Sequence, residues 1–149
     1  MCMKTFFYRC ALEVLLVMAA ALPAQANSNW LTMVGNPVDP DTSTIEVYIP
    51  ASFVLNNQLS LNVRVNRAKQ NVSSDGIPFR SYTATILVDC VGKSMRFTAA
   101  AFYLTPLWEG NPHKAVSWSV QEVRPVLFRN FEPNPKDKIF QAACPKPAR

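Results

Sequence analysis

The stretch LSLNVRVNR, residues 59 to 67, alternates without a fault: Leu59, Leu61, Val63 and Val65 share one side of an extended chain, and Ser60, Asn62, Arg64 and Asn66 the other. Strict period-two patterning specifies a half-buried antiparallel strand, with one face on a core and one toward water. RSYTATILVDC, residues 80 to 90, predicts a second such strand, in which Tyr82, Ala84, Ile86, Val88 and Cys90 point inward together. Between them AKQNVSSDGIP carries polar residues, an Asp75-Gly76 pair and Pro78, and reads as a connecting loop.

Further strands are expected at Trp30 to Val34 and at Thr44 to Ile49, with Pro50 ending the latter. Beyond Cys90, the Val91-Gly92-Lys93 segment turns the chain into SMRFTAAAFY, residues 94 to 103, where Met95, Phe97, Ala99, Ala101 and Tyr103 would share one face of a hairpin arm. Helix is the competing reading for Phe97 to Leu104, but the aromatic and β-branched neighbours favour strand. Residues 104 to 121, broken by Pro106, Gly110 and Pro112, form a wide loop, with Val116 to Val120 a last short strand.

The tail changes character. In NPKDKIFQAAC, Asn134 can cap a helix, Pro135 suits its first position and Asp137 can reach back to the cap. Ile139, Phe140, Ala143 and Cys144 would lie on one side of it. The expected fold is α+β and mainly β: a single antiparallel sheet of about six strands with a short C-terminal helix. So few helical turns are not stable alone in water, so the helix needs an attachment.

Cysteines supply a candidate for it. Residues 1 to 26 read as a secretory signal peptide, with Lys4 and Arg9 as a basic start, an apolar run from Ala11 to Leu22 and Ala24-Gln25-Ala26 as a cleavage site. That leaves 27 to 149 as one domain and removes Cys2 and Cys10, so Cys90 and Cys144 remain. An even pair in an oxidising compartment is most simply one disulfide; the rivals are two free thiols or a metal pair, for which the single histidine, His113, offers little. A bridge closing about 55 residues would contribute roughly 4 kcal/mol through chain entropy. It would fasten the terminal helix to the sheet.

The predicted processing removes Lys4, Arg9 and Glu13 from 15 basic and 10 acidic residues, leaving a modest basic excess spread along the chain. Outside the cytoplasm such an excess suits polyanionic or anionic-surface partners, with solubility alone an adequate explanation, and the exported address disfavours nucleic acid. Localisation is therefore expected to be periplasmic, cell-surface or secreted, with no transmembrane anchor after processing.

No enzyme is legible. A serine triad would need His113, which stands in the Pro/Gly-broken loop GNPHK with no nucleophile elbow elsewhere. No glycine-rich phosphate loop, zinc spacing or calcium loop appears, so no cofactor or metal is expected. Aromatic residues are the better clue: Trp108 and Trp118 flank a loop that also carries His113 and Lys114. Tryptophan beside cations is a frequent recognition feature. Trp108, Trp118, Lys114, Arg64 and Arg67 are accordingly the candidate partner-binding residues, with Arg64 and Arg67 as rim contacts.

The order of features, a tryptophan soon after the processing site, YIPASF, LNVRVN, FRSYTATILVDC and a terminal helix with cysteine, resembles the bacterial surface-adhesin protein E family. The resemblance runs over nearly all of residues 30 to 144. It matches Ser81 and Tyr82 to the pre-cysteine motif of the family, and Cys90 and Cys144 to its bridging pair. It implies an antiparallel sheet with a tethered helix, and adhesins that bind host matrix and plasma proteins such as vitronectin, laminin and plasminogen, some of them binding haem as dimers. This chain departs from the pattern at Pro50 and at Arg64 and Val65. The functional expectation is an exported, non-enzymatic module binding a protein or polyanionic partner at the envelope. The alternative is a periplasmic structural factor or an inhibitor of another protein.

Overall fold

The computed structural model describes residues 29–49, 51–53 and 58–145. The signal-peptide expectation and Pro50 lie outside the described residues. The strands are β1 (Trp30–Val34), β2 (Thr44–Tyr48), β3 (Ser52–Phe53), β4 (Gln58–Val72), β5 (Pro78–Asp89), β6 (Ser94–Tyr103) and β7 (Lys114–Ser117), followed by one helix, α1 (Lys136–Ala143). They form one antiparallel sheet in the order β1-β2-β4-β5-β6-β7, with the two-residue β3 pairing onto the start of β4.

The alternation of β4 and β5 is realised as expected. Leu59, Leu61, Val63 and Val65 are buried opposite Val88, Ile86, Ala84 and Tyr82 in register, and Ile45 and Val47 of β2 extend the same face. The C-terminal segment covers this inner face with Val126, Phe128, Phe131, Ile139 and Phe140, all buried in the same cluster. Cys90 and Cys144 are joined by a disulfide, their Cα atoms 5.7 Å apart, which ties the end of α1 to the turn after β5. Lys138 Nζ adds a hydrogen bond to the Met33 carbonyl of β1 at 3.2 Å.

The structure corrects four local expectations. Ala68 to Val72 continue β4 instead of opening a loop, so the connection shrinks to Ser73–Ile77, closed by hydrogen bonds from Ile77 N–H to Ser73 Oγ and from Ser73 N–H to the Ile77 carbonyl. In β6 the face is not shared by Met95, Phe97, Ala99, Ala101 and Tyr103. Thr98 is an extra residue between the Ile86–Phe97 and Thr85–Ala99 pairs, so after it Ala100 and Phe102 turn inward while Ala99 and Ala101 turn out. The last strand is Lys114–Ser117, not Val116 to Val120. At α1, Asn134 accepts a hydrogen bond from Lys136 N–H at 3.0 Å as a cap would, but the helix starts after Pro135, and its first-turn carboxylate, Asp137, makes no capping bond back.

Candidate functional site

Two features of the sheet bear on function, one on each face. On the outer face, β2 and β4 place Glu46 and Arg64 opposite each other, and the guanidinium donates to both carboxylate oxygens at 2.7 and 3.1 Å. The guanidinium carbon lies over the Trp30 ring, 4.3 Å from its centre, and over the Trp108 ring at 4.5 Å. Tyr48 meets Trp30 edge-on. Glu46 is only 4% exposed, so Arg64 neutralises a buried carboxylate and is not a free rim contact.

Trp108 likewise departs from its expected role as an exposed loop anchor. Its indole N–H points at the carbonyls of Val65 and Tyr82, at 3.3 and 3.0 Å, and its backbone N–H donates to Ser81 Oγ. The neighbouring Leu107 N–H donates to Asn66 Oδ1. Leu107 and Trp108 both have positive φ, 50° and 61°, a conformation costly for side chains of this size unless surrounding bonds hold it. Asn66 and Ser81 supply those bonds. Asn66, expected to face water, is fully buried beneath the turn, its amide group donating to the Pro40 and Thr42 carbonyls. The turn is thus part of the scaffold. Beside it lies an open depression of about 430 Å³ floored by small residues such as Thr83, Thr85, Ala99 and Ala101.

The inner face carries the better-formed site. Between the sheet and the segment running from Val123 to Phe131 lies a cavity of about 530 Å³. Its sheet wall is Val65, Phe79, Tyr82, Phe97 and Phe102; Trp118 closes one end and Phe128 and Phe131 form the cover. The rings interlock edge-on and tilted, Tyr82 standing 5.4 Å from Phe79, 5.9 Å from Phe102 and 6.2 Å from Phe97, and Phe97 6.1 Å from Trp118. The Thr98 bulge matters here, because Phe97 and Phe102 are five positions apart and would face opposite sides of a regular strand, and the extra residue lets both face inward. Trp118 is held by its N–H donating to the Thr98 carbonyl.

Polar groups gather at the rim of this cavity, on the β4–β5 turn and the covering segment. Arg124 and Asp75 form an ion pair at 2.9 Å that joins the β4–β5 turn to the covering segment, and Arg129 lies exposed at the rim. Arg67 is half-buried and lies over the Phe131 ring, 4.4 Å from its centre. It belongs to an irregular stretch in which Arg67 to Gln70 stand opposite Arg80 alone. Arg80 fills the gap by donating to the carbonyls of Ala68 and Pro40 and to Asp41. Desolvation lowers the Arg67 pKa, with the nearby Tyr82 working the other way, and burial pushes the Tyr82 phenol well above its ordinary value.

Of the five candidate residues, the structure therefore brings Arg67 and Trp118 together at the cavity, puts Arg64 and Trp108 in the outer-face stack, and leaves Lys114 exposed on the edge strand β7. Phe79, Phe102, Phe128 and Phe131 were not singled out in the sequence as site residues; the signal was an aromatic excess at inward positions on both sides of one strand pair. His113, exposed, has its Nε2 2.7 Å from the Pro78 carbonyl. Among the described residues, no group of three or more His, Cys, Asp or Glu side chains could hold a metal ion. No helix among them is long and apolar enough to cross a membrane. No family model, no curated protein and no solved structure matches the chain.

Proposed function

We propose that the protein is an exported, non-enzymatic binding module whose site is the aromatic cavity under the C-terminal segment. The observation that carries this reading is the cavity itself: a half-open cleft of about 530 Å³ between the sheet and its cover, walled on the sheet side by interlocked aromatic rings. Clefts of this size that combine aromatic walls with a small number of convergent polar groups are the usual form of small-molecule sites. Export is supported by the leader-like sequence of residues 1 to 26 and by a bridge of the kind that persists in oxidising compartments. The resemblance to surface-adhesin protein E-like proteins belongs to the same reading and is supported by motif order and by the Cys90–Cys144 pairing. The scaffold roles of Arg64 and Trp108 move the expected binding surface away from the Trp108 loop and into the cavity.

The test is a fluorescence titration with N-phenyl-1-naphthylamine, a neutral apolar probe. One probe per chain should bind to the parent. Ala100→Leu, which enlarges a residue lining the cavity floor, should abolish that binding while keeping a cooperative thermal melt. Probe binding unaffected by Ala100→Leu would remove the cavity from the proposal.

A further inference from the structure

Three ion pairs join side chains among the described residues: Glu46–Arg64, Asp41–Arg80 and Asp75–Arg124. Each puts an arginine of the sheet or its cover against a carboxylate. Arg67 has no such partner, although it is half-buried, and its charge is met only by the face of Phe131. A desolvated guanidinium is ordinarily compensated by a carboxylate or by hydrogen bonds, because burying an unpaired charge is costly. An aromatic face compensates part of that cost and leaves the five N–H donors of the fork largely unused.

The position of this cation is as informative as its lack of a partner. Arg67 lines the same cavity as Tyr82, Phe102 and Phe131, so the fork of donors lies beside aromatic rings, while Asn71, Ser73, Ser74 and Asn130 and the exposed Arg129 line the cavity elsewhere. Arg124 lines the cavity too but is already engaged by Asp75. We infer that the cavity binds a small organic carboxylate with an apolar body, its carboxylate paired bidentately with Arg67 and its body packed among the aromatic rings. This rests on the proposed cavity function and names the ligand class for it. Guanidinium and carboxylate match in planar geometry, and the pair is strengthened where water is excluded. Arg67 is the half-buried cation of the lining without a carboxylate partner, whereas Arg129 at the rim is exposed to water, so the desolvated pairing is with one anionic group. The Arg124–Asp75 pair, only half-exposed, spans the turn and the cover and closes one side of the entrance.

Isothermal calorimetry at pH 7.5 with decanoate and decan-1-ol, on the disulfide-bonded protein, separates charge from apolar body. The parent should bind decanoate at least tenfold more tightly than decan-1-ol. Arg67→Gln should bring the two within about threefold. Lys69→Gln, which removes an equal charge from an exposed position two residues away, should keep the parent's preference. Equal binding of both probes by the parent, or a preference that survives Arg67→Gln, would overturn the carboxylate assignment and leave the cavity reading standing. Binding of neither probe by the parent would overturn both.

Discussion

Arg64 shows how a residue that reads as a surface cation can be structural. Its alternation position on β4 predicts exposure, and three-quarters of its side chain is nevertheless covered, by Trp30, Trp108 and the Glu46 carboxylate. Removing one partner of a buried pair leaves the other charge uncompensated, which costs more than the pair itself contributes. Arg64→Ala should therefore lower stability by about 2 to 3 kcal/mol, and Glu46→Met with Arg64→Met should recover most of that loss, both read from urea denaturation midpoints. A cost below 0.5 kcal/mol for Arg64→Ala would mean the stack is decorative. Tyr82 has a pH consequence. Its phenol is pushed above the ordinary tyrosine value near 10 by burial, so the unfolded chain ionises first as pH rises. The folded state then holds the extra proton, and stability is complete below pH 10 and falls above it. Tyr82→Phe should flatten that fall between pH 10 and 11.5, measured as the thermal midpoint at each pH; parallel curves for the two proteins would contradict the burial.

At the scale of elements, the long alternating strands were legible because burial of one face imposes period two on the residues themselves. The Thr98 bulge was not, because a bulge is decided by the register of the partner strand and leaves no local mark in SMRFTAAAFY. The same holds for Ala68 to Val72: polar residues continue a strand when a hairpin arm runs past the sheet body, where neither face has a core to satisfy. Helix α1 was legible from Asn134, Pro135 and its apolar side, and its first turn differs by one residue. Its eight residues are too few to be helical alone in water, so its place depends on Ile139, Phe140 and the bridge to Cys90. Cys144→Ser should lower stability by about 4 kcal/mol, the chain-entropy value for this loop, and the melting temperature by on the order of 10 °C under oxidising conditions. The parent under full reduction should fall to the same temperature. Unchanged melting in both experiments would leave the bridge without an energetic role.

For the whole molecule, the site was the least legible part. Arg67 and Trp118 both line the cavity, but it joins residues from Val65 to Phe131, and only the closure of the tail over the sheet turns them into one surface. The place of Trp108 is set by indole hydrogen bonds that run to the backbone of β4 and β5, which no local pattern reveals. Tail, bridge and cavity are joined in the fold: the disulfide and α1 hold the covering segment against the sheet, and the aromatic floor lies under that segment. The most direct check is an amide NMR titration of the folded protein with N-phenyl-1-naphthylamine. Shifts confined to Val65, Phe79, Tyr82, Phe102, Trp118 and their neighbours are the predicted result. Shifts confined to Thr83, Thr85, Ala99 and Ala101 on the opposite face, or no shifts at saturating probe, would contradict the account.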